Sequence, residues 1–320
     1  MYGNMCVKEV KVMLTKKFGI EIELTGITKD NAAQTVKNIV GGRISHTRDS
    51  YNTINITAPD DRIWKIMNDS SIRKETRRGT TSSNDYSVEF VSPILMGSED
   101  IDTIQKIVRA LRGAGGKTND TCGIHIHLDG ADHTVQSIKN FINIIASKND
   151  LLYKALQIEP GRIKWCKKMD QRLVNDLHKK RPRTMQQIKD IWYNEKNAGS
   201  HPHYDQTRYH FLNLHSFFEG NHTIELRGFN STLHAGKVKA YILLALAINN
   251  QALNQKMASC KKTQEENEKF AMRVYLNRIG FIGPEYKNYR EHLVKHLNGS
   301  SAWRYGSDNP KYKKNQKEAK

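Results

Sequence analysis

The sequence predicts an α+β fold: a largely antiparallel sheet with helices packed on one face. Three observations carry this expectation. Short runs that alternate apolar and polar residues, such as Phe18 to Leu24 and Cys122 to Leu128, have the period of half-buried strands. Longer runs with apolar residues at helical spacing, such as Ile101, Ile104, Val108 and Leu111, lie between them. Strand-like runs at Tyr209 to Phe217 and His222 to Phe229 flank Glu219-Gly220-Asn221, a hairpin signal that favours antiparallel pairing. No self-similarity at a period of about 20 to 50 residues is present, so solenoids and propellers are excluded. A chain of 320 residues is long enough to bury a sizeable core.

Taken in order, Lys17 to Thr25 reads as a strand, and Thr28 as the N-cap of a helix over Asp30 to Val40 that Gly41-Gly42 stops. Strands follow at Tyr51 to Thr57, Arg62 to Met67 and Tyr86 to Ser92. Ser98 is placed to cap the next helix, which Gly113 and Gly115 end. Thr121 to Asp129 returns to strand, and His133 to Ser147 to helix. Pro160, Gly161, Pro182 and Pro202 break the following stretch into short pieces, so it reads as a basic helical insertion. After the hairpin come a long apolar helix over Ala235 to Ser259, then helices near Gln264 to Arg278 and Glu285 to Leu297. The expected organisation is a catalytic domain in two parts, 1–150 and 206–300, split by the insertion 151–205 and followed by a basic, disordered tail over 301–320.

Lysine and arginine number 51 against 33 acids, a formal charge of +18, which draws anions such as nucleotides, nucleic acids or acidic peptides. Much of it falls in Arg162 to Lys196 and Arg304 to Lys320. Each stretch reads as a solvated helical face or tail, or alternatively as a nucleic-acid surface; neither interleaves aromatics with basics in a recognised pattern. No window nears the roughly 20 apolar residues of a membrane helix, and the start lacks the blocks of a secretory signal. A cytoplasmic location with no membrane partner is expected. Cys6, Cys122, Cys166 and Cys260 are scattered, which argues against a disulfide framework or structural zinc.

The strands divide labour between their faces. Residues two apart share a face, so Glu21 and Glu23 lie opposite Ile20, Ile22 and Leu24, and His125 and His127 lie opposite Ile124, Ile126 and Leu128. Glu225 and Arg227 oppose Ile224 and Leu226, and Glu89 stands between Val88 and Phe90. A single such strand is what any half-exposed antiparallel sheet shows. Four strands whose polar positions hold only metal-competent or phosphate-competent groups are a different matter, because solvent-facing strands ordinarily mix in lysine, threonine and serine. If they share a sheet, four carboxylates are pooled with two imidazoles and a guanidinium. Such carboxylates repel unless cations intervene, and Mg²⁺ or Mn²⁺ favour this donor set over zinc. Cations held there can clamp nucleotide phosphates, with Arg227 balancing charge on a transferred phosphoryl group.

At these residues the sequence resembles the amidoligases, a branch of the glutamine-synthetase-like and glutamate-cysteine-ligase-like carboxylate-amine ligases. The motifs are Phe18-Gly-Ile-Glu-Ile-Glu23, Trp64-Lys-Ile-Met-Asn-Asp-Ser-Ser71, Ser87-Val-Glu-Phe-Val-Ser-Pro93, Cys122-Gly-Ile-His-Ile-His127, Arg208-Tyr with Asn213-Leu, and Thr223-Ile-Glu-Leu-Arg-Gly-Phe-Asn230. They occur in family order over about Lys17 to Asn250. Ser70, where glycine is common, and Leu226, where an aromatic is common, depart from the pattern.

The resemblance implies the curved catalytic sheet of glutamine synthetase, with ATP and Mg²⁺ or Mn²⁺ on its polar concave face. Glu21, His125 and Glu225 would hold the metal that grips the ATP phosphates, and Glu23 and Glu89 the one nearer the acceptor carboxylate. Arg227 would be the phosphoryl-transfer arginine and His127 a catalytic or substrate contact. Asp69, Ser71, Arg208 and Asn213 would face substrate. The implied reaction phosphorylates a small-molecule or peptide carboxylate, which an amine then attacks to give an amide. Cys122 is read as buried and structural, since no histidine is placed to activate it. A phosphotransferase of the same fold is one alternative; a nucleic-acid-binding protein driven by its charge is another. A ligase acting on a polyanionic or nucleic-acid-linked substrate, docked on 162–196, would join both ideas. All the implied ligands lie in one chain, so a monomer or homodimer is expected.

Overall fold

The computed structural model describes residues 14–262 and 266–305. Its strands are β1 (Phe18–Leu24), β2 (Arg43–His46), β3 (Ile54–Thr57), β4 (Ile63–Met67), β5 (Val88–Val91), β6 (Gly123–Asp129), β7 (Leu212–Asn213) and β8 (Thr223–Asn230). They form one sheet in the order β2-β3-β4-β5-β1-β6-β8-β7, antiparallel at every pairing. The α+β class with an antiparallel sheet is as expected.

The helices are α1 (Lys29–Val40), α2 (Gly97–Gly113), α3 (Val135–Leu156), α4 (Gln171–Lys180), α5 (Met185–Tyr193), α6 (His215–Glu219), α7 (Ala235–Asn254), α8 (Glu268–Arg278) and α9 (Lys287–Val294). α1 covers β3 and β4, α7 crosses β6, and α3 lies against β8. The side chains they cover are the apolar halves of the strands: Ile20, Ile22, Leu24, Ile124, Ile126, Leu128, Ile224 and Leu226 are all buried. Removing each from water contributes about 1.5–3 kcal/mol. α7 is apolar on all sides, with Ile242, Leu243, Leu244, Leu246 and Ile248 buried, which suits the centre of the helical layer.

Thr28 caps α1 as expected, accepting from Asn31 N, and Gly41 ends it with φ +79°. Several boundaries differ for local reasons. α2 starts at Gly97, before Ser98, because the Asp100 carboxylate accepts the Met96 N–H at 2.7 Å and caps the helix from within. α3 runs on past Ser147 to Leu156, since Leu151 and Leu152 give it a continued buried face. The expected strand over Tyr209 to Phe217 is only Leu212–Asn213. Asn213 Oδ1 accepts the His215 N–H at 2.8 Å, turning the chain into α6 before β8 begins.

α7 stops at Asn254, short of Ser259. Asn140 of α3 donates to the carbonyls of Ala252 and Gln255 and accepts from Ala258 N, so 255–258 is pinned against α3 in a non-helical form. β2 was not expected at all. The segment read as an insertion places Cys166, Leu173, Val174, Leu177, Ile188 and Trp192 in the main hydrophobic core. Cys122, Cys166 and Cys260 are free thiols; Cys6 and the basic end beyond Tyr305 lie outside the described residues. Among the described residues no helix is long and apolar enough to cross a membrane.

Candidate active site

Register builds the site. β1 and β6 are neighbours at the middle of the sheet, and Glu21 stands opposite His125. On the other side of β1, Glu23 stands opposite Glu89 of β5; on the other side of β6, His127 stands opposite Glu225 of β8. Since side chains alternate, all of these lie on the face turned away from the helices. His125 Nδ1 is 3.0 Å from Glu21 Oε2 and 3.6 Å from Glu225 Oε1, and its Nε2 is 3.6 Å from Glu23 Oε1. His127 Nε2 is 3.0 Å from Glu21 Oε1, and Arg227 Nη1 donates to Glu225 Oε1 at 2.5 Å.

β8 carries a bulge where Arg227 and Gly228 together oppose His125, between the pairs Ile124–Phe229 and Ile126–Leu226. The extra residue keeps Arg227 on the polar face while returning Phe229 to the core. Glycine is required there: a Cβ on Gly228 would meet the Phe211 ring at 1.9 Å.

Ligand atoms of Glu21, His125 and Glu225 all lie within 4.8 Å of one another, and so do those of Glu23, Glu89 and His125. Two sets of three sharing one imidazole, mostly carboxylate oxygen, suit hard divalent cations. The electrostatics show what such cations would relieve. Burial pushes the Glu89 carboxyl well above the usual range, and Glu21, Asp69 and Glu23 add to the push. Burial likewise raises Glu23. Glu21 is half-buried, and desolvation would raise it too, yet His127 and His125 hold it well below the ordinary value. Against the same burial, Arg227, His127 and His125 bring Glu225 down to about 2. Burial works against a charged His127 as well, but Glu21 and Glu225 raise it to about 9.

The remaining expected residues fall in different places. Asp69 lies near enough to raise both Glu23 and Glu89. Ser71 is exposed, and its N–H turns back to Asp69 Oδ1 at 2.6 Å. Asn213 donates to Glu225 Oε2 at 2.6 Å, so its amide is engaged in holding that carboxylate. Arg208 lies against the rings of Tyr204 and Tyr209 at 5.4 and 5.8 Å, and its buried Nε has no hydrogen-bond partner among the described residues. Tyr51 Oη and Tyr204 Oη meet at 2.8 Å, so loops from opposite edges of the sheet join over this face. Cys122 is fully buried, and that burial pushes its thiol up to about 12, which suits a structural role.

One residue that the sequence hid is Arg162. Read as part of a solvated or docking surface, it is only 2% exposed. Its Nη1 donates to Phe229 O at 2.8 Å and its Nη2 to Arg227 O at 3.0 Å, on either side of Gly228 in the bulge. It also lowers Glu23 electrostatically. Gly123 leaves it room, because a Cβ there would fall 2.2 Å from Arg162 Nη2, and the Gly123 N–H donates to Glu23 Oε2 at 2.5 Å. The available signal was the glycine before the His-x-His run, which marks a close approach without saying by what.

No curated protein matches the chain. Among solved structures, the crystal structure of a bifunctional glutathione synthetase from Pasteurella multocida aligns with a TM-score of 0.36 and 11% identity, covering 92% of this chain and 49% of that one. The chain thus spans about half the length of that protein. The family model described as "putative amidoligase enzyme" matches residues 14–249, which hold every strand of the sheet and every residue of the acidic site, so this chain belongs to the amidoligase family.

Proposed function

We propose that the protein is an ATP-dependent ligase working on a glutamine-synthetase-type catalytic sheet, joining a small-molecule or peptide carboxylate to an amine through an acyl phosphate. The observation that carries this reading is the pair of ligand sets sharing His125, with the Arg227 guanidinium bonded to one of their glutamates. Mg²⁺ or Mn²⁺ bound by these sets would neutralise the carboxylates and grip phosphate oxygens. The chain's own groups do the rest. Arg227 is fixed by Glu225, by the Trp165 carbonyl and by the Tyr209 ring, so its charge is in place before a phosphoryl group moves. Asn213 orients Glu225, and Glu21 lies between the two imidazoles. The unpartnered Nε of Arg208 suits a substrate carboxylate. The net charge of +18 favours an anionic substrate, including a polyanionic or nucleic-acid-linked one. Every group named comes from one chain, so a monomer suffices.

Calorimetry of ATP with Mg²⁺ tests the site. Wild type is expected to bind, and Glu21→Ala, Glu225→Ala and Arg227→Ala to lose binding while remaining folded. Folded wild type that fails to bind at millimolar ATP overturns the reading. An amide formed from carboxylate, amine and ATP separates a ligase from a phosphotransferase. Salt-sensitive nucleic-acid binding that survives Glu21→Ala, without ATP consumption, would instead support a nucleic-acid-binding protein.

A further inference from the structure

On the opposite face of the sheet from the acidic site, the helical layer opens into a cavity of about 520 Å³ between α2, α9 and the start of α7. Its walls are basic. Arg109 and Arg112 come from α2, Lys295 follows the end of α9, and His234 and His292 close it from α7 and α9. Among the described residues Glu291 is the one carboxylate in the lining, and none of the three fixed cations reaches an acid within ion-pair distance. The contrast with their surroundings is local, since Lys239, on the next turn of α7, is paired with Asp102 at 2.9 Å. Like charges left together without a paired acid raise the free energy of the empty cavity, and an anion would lower it.

The backbone points to the same ligand class. α7 has 20 residues, so its N-terminus carries a developed positive end. His234 Nδ1 accepts the Lys237 N–H, while the first-turn N–H groups of Ala235 and Gly236 have no partner among the described residues. At Gly236 a Cβ would fall 3.1 Å from His292 Nε2 and from the His234 ring, so the absence of a side chain keeps a cradle open between the two histidines. Their ring centroids are 5.0 Å apart, edge to face, and the buried Nδ1 of His292 has no hydrogen-bond partner among the described residues.

We propose that this cavity is a second, separate binding site for a small phosphate-bearing anion, such as pyrophosphate or an organic phosphate, held by Arg109, Arg112, Lys295 and the N-terminus of α7. The site is independent of the acidic face and of the chemistry assigned to that face. Its volume is that of a small-ligand pocket, not of an open groove for a polymer.

The test is calorimetric titration of the full chain with inorganic pyrophosphate in the presence of EDTA, which withholds divalent cations from the acidic face. Saturable binding is expected. Arg109→Ala with Arg112→Ala should weaken it at least tenfold, and Gly236→Ala should weaken it by closing the cradle, while Glu225→Gln leaves it unchanged. Both arginines are exposed, so the fold should survive, as an unchanged thermal midpoint would show. Absence of saturation at millimolar pyrophosphate overturns the proposal. So does binding that survives the double substitution, or a surface that takes up a DNA duplex through these arginines but ignores pyrophosphate.

Discussion

Arg162 shows how much of the site depends on a residue outside its motifs. Its guanidinium satisfies two backbone carbonyls of β8 and offsets the charge of Glu23 beneath them. Arg162→Met should therefore cost about 3–5 kcal/mol in denaturant unfolding, because two buried carbonyls of β8 lose their donor at about 1–3 kcal/mol each. An effect under about 1 kcal/mol would mean that solvent satisfies those carbonyls instead. His127 supplies a second, pH-dependent effect. Its folded pKa of about 9 exceeds its ordinary 6.5, so its stabilising proton is fully present below 6.5 and is lost as pH rises through 9. Burial raises Glu23 and Glu89, so they too bind protons more tightly folded than unfolded and push stability the same way. The EDTA-treated protein should then melt at a lower temperature at pH 9 than at pH 7, and His127→Gln should flatten that slope. The glutamates and histidines were legible because alternation along a strand is local. Arg162 was not: its partners lie 65 and 67 residues away, and an arginine in a basic run is ordinarily solvated.

At the scale of elements, the β8 bulge decides whether Arg227 meets the acidic face at all. Without the extra residue, the positions beyond Leu226 would change faces, and either Arg227 or Phe229 would point the wrong way. Gly228→Ala drives a Cβ into Phe211 and should destabilise the protein by about 2–3 kcal/mol. Adding Phe211→Leu should return part of that loss, which a double-mutant cycle would detect as coupling; strict additivity would mean that the clash is relieved elsewhere. Such features explain what was illegible in the sequence. Strand alternation revealed β1, β6 and β8, and a long unbroken apolar run revealed α7. The end of α7 depends on Asn140, which lies 112 to 118 residues earlier and ties down the chain from Ala252 to Ala258. The brevity of β7 likewise depends on Asn213 capping α6, a use of asparagine that competes with strand pairing.

At the scale of the whole molecule, the five candidate ligands and Arg227 span residues 21 to 227 and come from β1, β5, β6 and β8, so whatever binds them ties together the middle of the sheet. Cations that bind the folded sheet and not the unfolded chain stabilise all of it, by about 2.7 kcal/mol at a hundredfold excess over Kd. For a chain of this size that is a rise of about 5 °C in thermal midpoint. Mg²⁺ or Mn²⁺ should produce such a rise with the wild type, and a larger one at pH 8 than at pH 6, because the cation displaces protons from Glu23, Glu89 and His127. Glu89→Gln supplies the discriminating case. It removes a carboxylate that Glu21, Asp69 and Glu23 all disfavour, so the metal-free variant should be about 1 kcal/mol more stable than wild type. The same change deletes a ligand, so the response to Mg²⁺ should shrink. A variant that is both stabler without cations and less responsive to them would mean that the sheet holds its carboxylates together for binding, at a cost to its own stability. A variant that loses stability without cations would mean that Glu89 is held by favourable contacts instead, and that the cluster is part of the architecture.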